Sequence, residues 1–112
     1  MSDTTIKKID SSHSPQGPGG QRYLASGVGI SLRKWEDRST EKDEAPHRNP
    51  YETVGYVISG KAELQSEGQT ILLEPGDSWL IPRDAEHKYR ILEPFTAVEA
   101  THPPAHAHGR DD

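Results

Sequence analysis

Between residues 21 and 100 the apolar positions recur with a period of two, not 3.6. Val28, Ile30 and Leu32 alternate with Gly29, Ser31 and Arg33, which predicts a half-buried strand with its apolar set inward. The run from Thr53 to Ser59 is rich in β-branched and aromatic residues, meets Gly60-Lys61 and continues as Ala62-Glu63-Leu64-Gln65. That pattern predicts a strand, a tight turn and a second strand. Glu67-Gly68-Gln69 reads as a turn before Thr70-Ile71-Leu72-Leu73, and Pro75-Gly76-Asp77 as a turn before Ser78-Trp79-Leu80-Ile81. Pro82-Arg83-Asp84-Ala85 turns once more before a strand from His87 to Leu92, and Phe95 to Ala100 is the last strand. Short strands at this spacing, punctuated by Gly and Pro and without a helical period, predict an all-β sandwich or barrel.

The core candidates follow from the same pattern. Trp35, Trp79, Phe95, Ile30, Leu32, Val57, Leu72, Ile81 and Val98 are expected to pack inside, as large apolar side chains mostly do. Arg22, Arg33, Lys88 and Arg90 are expected to face solvent.

All but five apolar residues fall within residues 21–100; the five are Met1, Ile6, Ile9, Ala105 and Ala107. Of 112 residues, about 80 therefore supply the core of one small domain. Residues 1–20 read as a flexible arm of Ser, Pro and Gly, and residues 101–112 as a His-bearing tail. Glu36 to Glu44 holds five acids and two bases and no apolar side chain, which reads as a solvated loop. A core this small stabilises a lone chain only modestly, so a homodimer is expected.

Charge and composition remove several classes of function. A formal net charge of -5 argues against a nucleic-acid partner, which requires clustered Lys and Arg. No apolar run is long enough to span a membrane as a helix, and residues 1–10 lack the apolar stretch of a signal peptide. Cysteine is absent, which rules out thiolate ligands and a cysteine nucleophile and suits a cytoplasmic location.

Two histidines stand in short motifs that carry the chemistry. His47 lies in Pro46-His47-Arg48-Asn49-Pro50-Tyr51-Glu52-Thr53, ahead of Gly60. His87 closes Pro75-Gly76-Asp77-Ser78-Trp79-Leu80-Ile81-Pro82-Arg83-Asp84-Ala85-Glu86-His87. These two segments, with their spacing and order, resemble the two motifs of the cupin family. The first motif is His-x-His, three or four residues, Glu, six residues and Gly; His47 and Gly60 match, while Asn49 and Thr53 stand at the second His and the Glu. The second is Gly, five residues, Pro-x-Gly, two residues, His, three residues and Asn. Gly76, Pro82 and His87 match it, while Asp84 and Ile91 replace the middle Gly and the final Asn. Asp tolerates a left-handed turn, so the first of these departures is mild.

The resemblance implies a double-stranded β-helix, the cupin jelly-roll barrel, as a single domain over residues 21–100. It also implies a divalent ion (Fe, Zn, Ni or Mn) at His47 and His87, with Asn49 or a water in the incomplete positions. Dioxygenase-, isomerase- or lyase-like chemistry on a small polar molecule would follow. The ligand chemistry limits this reading: an amide or a hydroxyl is a poor ligand for a late transition metal, and two imidazoles alone bind such an ion weakly. The alternative is a metal-free cupin that binds a small ligand without catalysis. Tyr51, Thr53 and Tyr89 are the candidate ligand contacts; Tyr89 lies two residues past His87, on the same side of a strand. Glu52 carries the missing charge one residue early and is expected to face away from the Thr53 side. His102, His106 and His108 offer another route to complete a metal site, through a tail folded over the barrel mouth.

Overall fold

The computed structural model describes residues 6–17, 20–38 and 45–105. Among these residues, a 3-10 turn at Ser11–His13 is followed by six strands. They are β1 (Arg22–Ser26), β2 (Ser31–Arg38), β3 (Glu52–Ser66), β4 (Gln69–Leu73), β5 (Ser78–Ile81) and β6 (His87–His102). All pairings are antiparallel, in the order β1-β2-β6-β3-β4, with β5 also on β3. The architecture is the expected all-β jelly-roll barrel.

Two long strands build it. Thr53 to Tyr56 of β3 pairs with β5, whereas Ala62 to Ser66 pairs with β4. Strand β6 accompanies β3 along both stretches, from Glu52 opposite His102 to Ser66 opposite His87. The tight turn expected at Gly60-Lys61 is therefore absent: β3 runs through it as one bent strand, and the two strands expected over residues 87–92 and 95–100 are one strand, β6. Gly60 has φ +83, and a Cβ there would lie 1.9 Å from the Pro94 carbonyl oxygen. Glycine serves here as the bend at a close crossing of two backbones, with pairing register shifting on either side.

The interior is filled by Val57, Ala62, Leu64, Leu73, Trp79, Ile81, Tyr89, Ile91, Phe95 and Ala97. Trp79 packs where Gly55 has no side chain; a Cβ at Gly55 would meet the indole ring at 2.3 Å. Trp79, Phe95, Val57 and Ile81 are thus core residues as expected, while Trp35 and Val98 are half-buried. Ile30, Leu32 and Leu72 are exposed. The alternation in β2 has the expected period but the opposite facing: Ser31 and Arg33 point inward and Leu32 outward. A period of two does not say which face is the inside.

The described segments that flank the barrel are held at several points. Residues 10–17 dock beside β1 through Tyr23 N–H to the Pro15 carbonyl (3.0 Å) and a bridge between Gln16 and Arg22. After β6, the Ala105 N–H donates to Thr101 Oγ1 at 2.9 Å, and Pro104 and Ala105 are buried. Glu36, Asp37 and Arg38 of the acidic run belong to β2; its remainder, and His106 and His108, lie outside the described residues.

Candidate functional site

The segment before β3 and the start of β6 bring His47 and His87 together. Their backbones exchange two hydrogen bonds, His47 N–H to the His87 carbonyl at 3.0 Å and the reverse at 2.9 Å. Their rings lie 4.4 Å apart, centroid to centroid, tilted by 56°. His87 is buried and His47 exposed, so the pair runs from the barrel lining to its rim.

The turns that deliver these residues follow from local chemistry. Asp84 takes φ +63, in the left-handed region that its motif position requires. The Asp84 N–H donates to the Asn49 carbonyl at 2.9 Å, and Arg48 Nη1 donates to the Asp84 carbonyl at 3.0 Å. The two motifs are thereby latched together next to the histidines.

Both imidazoles are oriented by their own backbone. His87 Nδ1 lies 2.9 Å from the Ala85 carbonyl and His47 Nδ1 3.4 Å from the Ala45 carbonyl. A carbonyl only accepts, so Nδ1 carries a proton in each ring, and in a neutral ring the lone pair is then on Nε2. Burial, then repulsion from His47 and Arg33, pushes the His87 pKa below its ordinary value against the pull of the Ala85 carbonyl and Glu99. His87 is a neutral acceptor at pH 7. A cleft of about 280 Å³ opens beside it, walled by Pro46, residues 65–70, Glu86 and Lys88.

Behind the histidines lies a polar network. Arg33 Nε donates to Glu99 Oε1 at 2.8 Å, Trp35 Nε1 to the same oxygen at 2.7 Å, and Tyr89 OH to Glu99 Oε2 at 2.8 Å. Arg33 Nη1 also donates to Tyr51 OH at 3.0 Å, and Trp79 Nε1 to Tyr89 OH at 3.1 Å. The Arg38 guanidinium stands 4.5 Å over the Trp35 ring and 5.6 Å from the Tyr89 ring. The His87 ring meets Tyr89 edge-on at 6.0 Å, which joins the network to the histidine pair.

Burial alone would raise the Glu99 carboxyl. The Arg33 charge and the donors on Trp35, Tyr89 and Arg33 together outweigh it and hold the group below its usual range. Burial, followed by the Glu99 charge, drives the Tyr89 phenol well above its usual range, so it stays protonated. Burial lowers the Arg38 guanidinium pKa.

Arg33, expected in solvent, is thus a buried partner of Glu99. Sequence reading also passed over Glu99, Trp35 and Arg38 as site residues. The available signal was that Arg33 and Trp35 share one face of a strand; their partner, however, lies 66 positions from Arg33.

The remaining candidates divide by face. Thr53 is buried and Asn49 half-buried, whereas Glu52 is exposed and sits opposite His102 on β6. His102 is also exposed, with Nδ1 against the Gly29 carbonyl. Neither approaches the lining on which Thr53 lies. Among the described residues no group of three or more His, Asp or Glu side chains is placed to hold a metal ion. The pair therefore supplies two imidazole ligands, and Glu99 is committed to its three donors. A complete three- or four-ligand site does not fit these residues.

The comparisons agree with this architecture. The family model for the cupin domain matches residues 37–101. No curated protein matches the sequence. Among solved structures, KdgF from Halomonas sp. superposes with a TM-score of 0.74 at 21% identity, covering 87% of this chain and 94% of that one. An RmlC-like cupin from Shewanella frigidimarina superposes at 0.71 with 16% identity, covering 88% and 92%. The polyketide cyclase RemF from Streptomyces resistomycificus superposes at 0.70 with 22% identity, covering 88% and 80%. At these identities the likeness is one of fold.

Proposed function

This chain belongs to the cupin domain family, and we propose that its barrel binds a small polar molecule beside the paired imidazoles of His47 and His87. The observation that carries this reading is the commitment of both Nδ1 atoms to backbone carbonyls, with His87 lining an open cleft. The Nε2 of neutral His87, with the His47 ring beside it at the rim, suits a ligand that donates hydrogen bonds, such as a hydroxylated molecule. The Arg33–Glu99 network stiffens the wall behind them. Pairing of two copies in the cytoplasm, expected from the small core and the absence of cysteine, is part of the same proposal.

A second reading is favoured by the same tautomers. A divalent ion would take the two Nε2 atoms, with water or Asn49 in the incomplete positions, and bind weakly for want of a third strong ligand. Such an ion would supply Lewis-acid chemistry.

Metal content separates the two. The untagged full chain is assayed by elemental analysis, alone and as His47→Ala and His87→Ala. Stoichiometric metal that is lost in either variant supports the ion and overturns the metal-free reading. A thermal-shift screen of small hydroxylated compounds completes the test: stabilisation by a compound, abolished in His87→Ala without metal in the wild type, supports ligand binding. A screen without hits and without metal sinks both.

A further inference from the structure

The two-residue turn Glu67-Gly68 joins β3 to β4, with φ +51 and +77. Two left-handed residues in succession make a hairpin turn whose twist matches its strands, so Ser66 and Gln69 stand directly opposite each other. Ser66 is also opposite His87 on β6, and His87 is opposite His47. Opposed residues of an antiparallel sheet share a face. Ser66 follows the parity of Ala62 and Leu64, which are buried. Gln69, Ser66, His87 and His47 therefore form one row along the inner face at the rim of the barrel.

Polar partners are offered at this row and not below it. The next inner row is Ile71, Leu64 and Tyr89. Leu64 and Tyr89 are buried, and the Tyr89 hydroxyl is engaged by Glu99 and Trp79. The cleft of about 280 Å³ that His87 lines is also lined by Ser66 and Gln69. Clefts for small ligands begin at about 300 Å³, so this one is of a size for a single small molecule.

What the row offers defines that molecule. His87 Nδ1 is spent on the Ala85 carbonyl at 2.9 Å, and Nε2 of the neutral ring only accepts. The Ser66 hydroxyl donates to the Glu86 carbonyl at 2.7 Å and keeps its lone pairs. The exposed Gln69 amide both accepts and donates. Hydroxyl groups, which do both, suit all three. Gln69 and His87 are two strand spacings apart, about 10 Å, a span that hydroxyls spread around one compact molecule can meet. Glu67, Glu86 and Lys88 line the same cleft, and Arg48 pairs with Glu86 at 3.6 Å, so the charges around it cancel. A ligand of either charge meets a lining group of its own sign, which selects for one without charge.

We propose that Ser66 and Gln69 are ligand-binding residues, and that the row takes an uncharged molecule bearing several hydroxyl groups, a polyol or a sugar without carboxylate or phosphate. The inference rests on the ligand-binding reading of His47 and His87 above. It adds the second half of the site and the charge of the ligand.

Titration of the full chain, followed by its amide NMR shifts, tests this. Myo-inositol and methyl glucoside serve as uncharged probes, gluconate and glucosamine as charged counterparts. An uncharged probe is expected to bind severalfold more tightly than either charged one. Gln69→Ala and Ser66→Ala are each expected to weaken it about three- to tenfold, the loss of one hydrogen bond. Glu63→Gln, on the outer face of β3, is expected to bind as the wild type does. Gln69→Glu removes the amide donors while keeping the shape, and repeats the test if an alanine variant melts early. Binding that is lost in His87→Ala but unchanged in Ser66→Ala and Gln69→Ala overturns the second half of the site and leaves the His87 reading standing. A charged probe bound as tightly as the uncharged ones overturns the ligand class. Absence of binding by every probe overturns this inference, whereas metal content and the wider compound screen decide the reading beneath it.

Discussion

Arg33 and Glu99 meet inside the barrel from adjacent strands, Nε to Oε1 at 2.8 Å, with 7% and 1% of their side chains exposed. The pair is a buried charge couple whose remaining capacity is filled by Trp35, Tyr51 and Tyr89. Removing one partner strands the other in a poor dielectric, whereas removing both does not. Arg33→Met and Glu99→Leu are each expected to lower stability by about 3–5 kcal/mol. The double variant is expected to cost much less than the sum of the two. Urea denaturation of the four proteins checks this, and strict additivity would show that the pair contributes no coupling.

Tyr89 links that pair to the histidine site. Its hydroxyl accepts from Trp79 and donates to Glu99. Tyr89→Phe keeps the ring and leaves both groups short of a partner, at an expected cost of about 1–3 kcal/mol. The same environment holds the phenol protonated well above its ordinary range. An alkaline ultraviolet titration should therefore show the same number of phenols ionising near pH 10 in the folded wild type and in Tyr89→Phe, and one fewer in the variant would refute it.

Gly60 and Gly68 both have positive φ, +83 and +77, but differ in surroundings. Nothing lies within 4 Å of a Cβ at Gly68, while one at Gly60 collides with the Pro94 backbone. Gly68→Ala is expected to cost only the left-handed strain, about 1–2 kcal/mol. Gly60→Ala is expected to cost roughly 3 kcal/mol or more, because Pro94 cannot move without separating β3 from β6. Thermal melts of the two variants should rank in that order; equal losses would mean that the crossing is slack.

Protonation of His87 gives the barrel a pH dependence. Its pKa is depressed by burial in the folded state and stands near the ordinary 6.5 in the unfolded chain. The unfolded state therefore binds the proton first as pH falls, and stability declines from about pH 6.5 down to the folded value. His87→Gln removes this contribution. A wild type whose urea midpoint drops between pH 7.5 and 5.5 more than that of His87→Gln is the expected result, and parallel profiles would refute it.

Much of this molecule is legible from residue order. The period of two, the turn residues at Gly68, Gly76 and Asp84, and the spacing of His47 and His87 around Gly60 and Pro82 point to the cupin barrel. Each depends on neighbours within a few residues: alternation follows from strand geometry, and left-handed turns need Gly or Asp wherever they occur. The same locality explains why Thr53 and Glu52 could be assigned to opposite sides of β3 without coordinates.

What tertiary structure decided is every choice that local pattern leaves symmetric. Alternation in Ile30 to Arg33 fits either face, and packing against β6 turned Arg33 inward because Glu99 waits there. Gly60 permits a reversal or a bend, and the Pro94 backbone lying against it made it a bend. The apolar set that sequence assigns to the core proved larger than one small interior can enclose. From that set Ile30 and Leu32 were left on the outside of one layer and Leu72 on the outside of the other. A chain of this size has more apolar side chains than its own barrel can bury, and only the folded arrangement shows on which surface the remainder gathers.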